Sequence, residues 1–180
     1  MDSNVFKSHI EKYARKWLSS TINIPESSGM GIDLCDSGVG IEIKCRLNRY
    51  TINHAVHEYQ VRDFKANNSG KELFWAFLSY GLTKPVKKIR IDENLAKLVI
   101  DIDVKLIDWE WIKQFPISYP KTGPYVYVHS KDYPEEYFEK YEKNDGLIYF
   151  PKGSILEQKI KITVAEVLDL ESSMKSRVPF

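Results

Sequence analysis

GIDLCDSGVGIEIKCR, residues 31 to 46, is the stretch of this sequence that decides the fold. Two short apolar runs flank DSGVG, whose Asp, Ser and Gly residues favour a turn. In the first run Asp33 interrupts apolar residues, and in the second Glu42 and Lys44 stand on either side of Ile43. Side chains of a strand alternate between its faces, so Glu42 and Lys44 share one. The stretch predicts a β-hairpin that carries three ionisable groups.

The segments around this hairpin predict an α/β fold. Apolar residues at helical spacing predict a helix over 4–19, capped by Ser3 or Asn4, and a second helix over 52–66. LFWAFLSYG, 73–81, is typical of a fully buried strand. A buried strand after a crossover helix indicates a mixed β-sheet flanked by helices. In the first hairpin strand, Ile32 and Leu34 are expected on the same face.

The second half of the chain has weaker patterns. The alternating residues of 97–107 and 125–130 predict strands. DWEWIKQF and PEEYFEKYEK are interpreted as short helices, while LIYF at 147 and KIKITVAEVLDL fit either strand or helix. Without a repeat or a linker-like tract, all 180 residues are expected to form a single domain.

The composition is that of a globular protein, with 43% hydrophobic and 28% charged residues. No apolar stretch is long enough to cross a bilayer, and no secretory signal is visible, so we expect a cytoplasmic protein without membrane association. Cys35 and Cys45 are too few for a disulfide framework and are expected to be small, reduced, buried residues.

Positive charge is concentrated in one part of the chain. The net charge is only +1, yet the segment from Lys44 to Arg90 holds ten lysines and arginines and three acidic residues. This distribution suits a polyanion bound to one face, or arises by chance among solvated faces. The acidic run at 132–145 is expected to point away from a polyanion or to pack against another subunit.

The ionisable groups of the hairpin suit phosphodiester hydrolysis. Mg²⁺ prefers oxygen ligands and is commonly held by one or two carboxylates, with water completing its coordination. Asp33 and Glu42 can converge on one such ion if the hairpin pairs, and the carbonyl of Ile43 lies close enough to be a further ligand. Lys44 can orient the attacking water and offset charge in the transition state. Without these roles, Glu42 and Lys44 are solvent-facing residues that form cross-strand pairs.

Asp33 followed by Glu42-Ile43-Lys44 resembles the motif of the PD-(D/E)xK nuclease superfamily, although Ile32 replaces the proline. The predicted order of helix, hairpin, helix and buried strand is similar too. The resemblance implies a restriction-endonuclease-like core over 1–85 and a family-specific extension over 86–180 for DNA recognition and dimerisation. It also implies a further metal-site acid on the first helix, for which Glu11 is the candidate.

The resemblance implies a Mg²⁺-dependent DNA endonuclease, with Mn²⁺ able to substitute. A type II restriction endonuclease, acting as a homodimer on double-stranded DNA, is favoured. The expected phosphate contacts are Arg46, Arg49, Gln60, Arg62 and Lys65. The alternatives are a Holliday junction resolvase, a repair nuclease, or a non-catalytic DNA-binding or interaction protein. The last alternative predicts that Lys44→Ala leaves the biological activity intact.

Three other features have less specific interpretations. His54 and His57 are interpreted as the polar flank of a surface helix. Asp36 is expected to cap the hairpin turn, and replaces Asp33 at the metal if the strand register differs by one residue. The loop 117–125 is the candidate for base recognition.

Overall fold

The architecture is α/β, as predicted, in a computed structural model that describes most of the chain. The described residues are 2–28, 31–48, 53–67, 70–112, 114–121, 123–129, 134–143 and 145–161. They form a six-stranded sheet with parallel and antiparallel pairs, a three-stranded sheet and flanking helices. No helix among these residues is long and apolar enough to span a bilayer.

The first helix, α1, spans Ser3–Ile22 and confirms the prediction over 4–19. Its N-cap is Asp2, not Ser3 or Asn4 as expected. The Asp2 carboxylate accepts hydrogen bonds from the backbone N–H of Asn4 at 2.8 Å and of Val5 at 3.4 Å, which satisfies donors that the first turn leaves free.

The central sheet has the strand order β1-β2-β4-β5-β9-β8. Its strands are β1 (Leu34–Cys35), β2 (Val39–Leu47), β4 (Glu72–Leu82), β5 (Val99–Asp108), β8 (Phe138–Lys143) and β9 (Gly146–Pro151). β1 and β2 form the predicted antiparallel hairpin, with Leu34 opposite Ile41. β4 and β5 confirm the predicted strands at 73–81 and 97–107. Three of the six strands come from the second half of the chain.

The hairpin turn forms as expected around Asp36. One carboxylate oxygen of Asp36 accepts from the backbone N–H of Gly38 at 2.8 Å and of Val39 at 2.9 Å. The first strand differs from the prediction, because residue 33 lies in a bend and β1 begins only at Leu34. Ile32 and Leu34 therefore pack into different hydrophobic cores and do not share a face.

The helix predicted over 52–66 is wrong in its first part. Residues Asn53–His57 form the strand β3, and the helix α2 spans Glu58–Asn67. β3 pairs antiparallel with β7, Tyr125–His129, which is close to the strand predicted at 125–130. The remaining strand of this small sheet is β6, Ile117–Ser118. The backbone hydrogen bonds to β7 favour the extended conformation over the helix that the local pattern predicted.

PEEYFEKYEK, which was interpreted as a helix, is a short turn followed by the strand β8. β8 pairs with β9, so LIYF at 147 is a strand. DWEWIKQF contains a single helical turn, α3, Trp109–Ile112. Residues 155–161 are helical, and the part of KIKITVAEVLDL after residue 161 lies outside the described residues.

Two hydrophobic cores lie on opposite faces of the central sheet. One contains side chains of α1 together with Ile41 and Ile43 of β2. The other joins the small sheet to the central sheet, through Val56 and Val126 on one side and Trp75 on the other. Burying these apolar surfaces holds α1 and the small sheet on either side of β2.

Candidate active site at the edge of strand β2

The candidate site lies where β1 ends and exposes the edge of β2. β1 pairs with β2 only at residues 40 and 41. Beyond that point Asp33 extends the pairing, since its N–H donates to the carbonyl of Ile41 at 2.9 Å and its carboxylate accepts from the N–H of Ile43 at 2.8 Å. The backbone N–H and C=O of one strand residue point to the same edge of the strand. Since the N–H of Ile43 faces Asp33, the Ile43 carbonyl lies on the side of Asp33 as well.

Glu42 and Lys44 share the predicted face of β2 and form an ion pair. Lys44 Nζ lies 2.7 Å from Glu42 Oε1. The side chain of Lys44 is only 24% exposed, and that of Glu42 only 13%. The pair is therefore not a solvent-facing cross-strand pair, because most of both side chains is removed from water.

Asp33 and Glu42 are brought together, as the sequence predicted. Burial raises the pKa of Glu42, and the charge of Asp33 and a hydrogen bond with it raise that pKa further, while the Lys44 ammonium opposes the rise. The Asp33 carboxylate therefore lies close enough to Glu42 to disfavour the ionisation of Glu42. A cation between them would relieve this repulsion.

An open cavity of about 430 Å³ surrounds these groups. Its volume is within the range of pockets that bind small molecules or parts of larger substrates. Besides the hairpin, the cavity is lined by residues of α1, β3, α2 and β7. The lining residues are Lys7, Glu11, Arg15, Asp33, Glu42, Ile43, Lys44, Cys45, Arg46, His54, Ala55, His57, Tyr59, Gln60 and Tyr125.

The helix α1 contributes a cation and an acid to this cavity. Arg15 forms an ion pair with Asp33 through its guanidinium Nη2. Glu11, the predicted additional acid, lines the same cavity, but its side chain is 49% exposed and lies 3.9 Å from Lys7 Nζ. Lys7, Glu11 and Arg15 are four residues apart, so one face of the helix supplies all three.

The small sheet and α2 contribute buried polar atoms. His54 is 3% exposed, and its Nδ1 has no hydrogen-bond partner in the described part of the chain. Within the same described residues, Gln60 Oε1 and Arg15 Nε are also buried without a partner. Buried polar atoms rarely lack partners, so three of them in residues that line one cavity are an unusual feature of this part of the molecule.

The position of His54 differs from that predicted from the sequence. It lies inside strand β3 and not on the polar flank of a surface helix. Burial lowers the pKa of His54 to about 4, with a further contribution from the positive charge of Arg46. The imidazole is therefore neutral at physiological pH. Burial also raises the pKa of the Cys45 thiol to about 12, which keeps it protonated.

The residues expected to contact DNA are distributed unevenly. Arg46 and Gln60 line the cavity. Arg62 is exposed on α2, where it pairs with Asp63 and does not line the cavity. Arg49 and the side chain of Lys65 lie outside the described residues. The acidic run contributes β8, at the opposite edge of the sheet from the hairpin.

Several residues that line the cavity were not predicted to lie there from the sequence. The spacing of Arg15 from Glu11 on α1 was a usable signal for its place in the cavity. For His54, Tyr59 and Tyr125 we find no equivalent signal, because their approach to β2 depends on how the small sheet packs.

The oxygen ligands of the site fit a hard divalent ion. Asp33 and Glu42 supply two carboxylates, and the edge of β2 supplies the Ile43 carbonyl. Within the described residues no group of three or more His, Cys, Asp or Glu side chains is arranged to hold a metal ion. A site with two carboxylates, completed by water and substrate oxygens, is typical of Mg²⁺.

Comparison of this chain with protein-family models, curated proteins and solved structures finds no match. The geometry of this cavity is therefore the basis for inferring the function of the chain.

Proposed function

We propose that this chain is a Mg²⁺-dependent DNA endonuclease that hydrolyses phosphodiester bonds. The observation that carries the proposal is the convergence of Asp33, Glu42 and Lys44 on one open cavity at a strand edge. Arg46 on the same cavity wall, with Lys7 and Arg15 from α1, provides positive charge for a phosphate backbone.

Each of these side chains has a definite task in the proposed reaction. Asp33, Glu42 and the Ile43 carbonyl would hold the divalent ion, and Glu11 lines the same cavity. When bound, this ion supplies Lewis-acid polarisation of the phosphate and lowers the pKa of a coordinated water. Lys44 places a positive charge beside Glu42, where it orients the attacking water and offsets charge in the transition state. Arg15 fixes the orientation of Asp33.

The arrangement supports a restriction-endonuclease-like core, in which a hairpin carries the acids and the neighbouring buried strand completes the sheet. As a type II restriction enzyme, the protein would act as a two-fold dimer on the two-fold axis of its DNA site. A linear plasmid cut into discrete bands supports this subtype. Preferential cleavage of branched DNA supports a junction resolvase.

Cleavage of plasmid DNA with and without Mg²⁺ tests the proposal directly. We expect Asp33→Asn, Glu42→Gln and Lys44→Ala each to lose at least about a hundredfold in rate, the scale for losing a positioned catalytic group. Lys44→Ala should keep DNA binding. Lys140 and Glu142 are two apart on the distant strand β8 and are exposed, so Lys140→Ala and Glu142→Gln are matched controls. Undiminished cleavage by the three site variants refutes the assignment.

Metal binding can be measured without cleavage. In the absence of DNA, Mg²⁺ should raise the melting temperature, because an ion that binds only the folded chain stabilises it by about 2.7 kcal/mol at a hundred times its Kd. The double variant Asp33→Asn/Glu42→Gln should lose this effect, and Glu142→Gln should keep it. An equal shift in all three proteins places the ion elsewhere.

A further inference from the structure

Three aromatic rings form one wall of the cavity. They belong to His57 at the end of β3, Tyr59 at the start of α2 and Tyr125 of β7. The ring centroids of His57 and Tyr59 are 5.0 Å apart, and those of His57 and Tyr125 are 3.9 Å apart. We call these three residues the aromatic wall.

The aromatic wall is not part of a hydrophobic core. His57 and Tyr125 are paired across β3 and β7, next to the pair Val56 and Val126. The two valines are buried in the core between the sheets. Because side chains alternate along a strand, His57 and Tyr125 point to the other face. Tyr59 is 49% exposed, which leaves ring surface available to a ligand.

The aromatic wall lies beside groups that suit a nucleotide strand. Lys44 and Arg46 line the same cavity, so cations for a phosphate and rings for a base are within one pocket. Burial and the positive charge of Lys44 lower the pKa of His57, which favours an uncharged ring at neutral pH. Proteins that bind single strands combine basic grooves with aromatic rings in this way.

We propose that the aromatic wall stacks on an unpaired base of the DNA strand whose phosphate is cleaved. This inference rests on the proposed function and specifies its substrate: a nucleotide whose base has left the duplex stack, next to the scissile phosphate. The base comes either from a single-stranded segment or from a duplex from which the enzyme extrudes it.

The test measures how much of the binding depends on the bases. Fluorescence anisotropy is recorded with a labelled single strand of about 15 nucleotides, a length that covers such sites. The same backbone with abasic residues and a blunt duplex of the same sequence are the comparison probes. All proteins carry Lys44→Ala and are measured in Mg²⁺, where binding without cleavage is expected. The variants are Tyr59→Ala, Tyr59→Phe and, as an exposed tyrosine away from the cavity, Tyr137→Ala.

We expect Tyr59→Ala to weaken binding of the normal single strand by about 5- to 150-fold, the range for loss of one stacked base. Binding of the abasic strand should change less than about twofold, since no base is present to stack. Tyr59→Phe retains the ring, so its affinity for the normal single strand should stay within about threefold of that of the parent Lys44→Ala protein. Tyr137→Ala should bind this strand as tightly as the parent does. A loss with the duplex as well as with the single strand supports extrusion, and a loss confined to the single strand supports a substrate already unpaired.

Two results overturn the inference. One is an equal loss of affinity for the normal and abasic strands, and the other is no loss for either. If the chain without substitutions still cleaves DNA with Mg²⁺, only the stacking inference fails. If that chain cleaves none of single-stranded, duplex and branched DNA, the proposed function fails and the inference with it.

Discussion

The buried imidazole of His54 makes the stability of this protein depend on pH. Its pKa in the folded chain is lowered to about 4 by burial and by Arg46. In an unfolded chain a histidine has a pKa of about 6.5. Between these values the unfolded chain binds a proton that the folded chain does not, so the free energy of unfolding decreases as the pH falls.

The size of this effect follows from the two pKa values. Each pH unit over which the unfolded state holds one extra proton changes the free energy of unfolding by about 1.36 kcal/mol. From about pH 7.5 to about pH 5, His54 is therefore expected to remove about 2 kcal/mol of stability. Such a change is a large fraction of the stability of an ordinary domain.

Urea unfolding of the wild type, His54→Leu and His54→Gln at these two pH values measures the effect. Leu and Gln do not titrate in this range, so both variants should lose about 2 kcal/mol less than the wild type on acidification. Their absolute stability is expected to be lower at both pH values and does not enter the comparison. His9, an exposed histidine of α1, provides the control His9→Gln, which should follow the wild type. Equal losses in the wild type and both His54 variants refute a buried neutral imidazole beside the site.

Three further predictions test the site and the packing of α1. At about pH 8 and without metal, Glu42→Gln should melt at the same temperature as the wild type or at a higher one. The raised pKa of Glu42 means that the fold disfavours its ionised form, which Gln cannot adopt. A melting temperature several degrees lower contradicts this expectation. Cys45 should react with iodoacetamide about a thousandfold more slowly than a free cysteine, because its pKa is about 12. Peptide mass spectrometry with and without urea shows whether unfolding restores the alkylation rate of a free cysteine. Gly146→Ala should cost about 1 to 3 kcal/mol, since the added Cβ comes within 2.5 Å of the Trp17 ring. The double variant Gly146→Ala/Trp17→Leu should lose less free energy of unfolding than the sum of the losses in the two single variants. Additive losses contradict the contact between residue 146 and Trp17.

Elements with strong local patterns were predictable from the sequence. The helix α1 has apolar residues at helical spacing, and β4 has a short continuous apolar run that is typical of a buried strand. The hairpin followed from alternation on β2 and from the turn residues at Asp36. These signals lie within a few residues of one another, so no knowledge of distant contacts was needed.

The strands β3 and β8 were predicted as helix because their sequences are short and fit both periodicities. NHAVH becomes a strand by pairing with β7, and FEKYEK becomes one by pairing with β9. In both cases the partner strand supplies hydrogen bonds that outweigh a weak local preference. The outcome depended on a segment elsewhere in the chain, which the local pattern does not contain.

The candidate site divides in the same way. The sequence by itself determined that Glu42 and Lys44 share one face of β2, because side chains alternate along a strand, and that the short turn returns the chain near Asp33 to β2. Only the tertiary structure decided that His54 and the aromatic wall surround them. Those residues come from segments joined to β2 by hydrophobic packing and strand pairing, and such contacts between distant segments leave no periodic signal in the sequence.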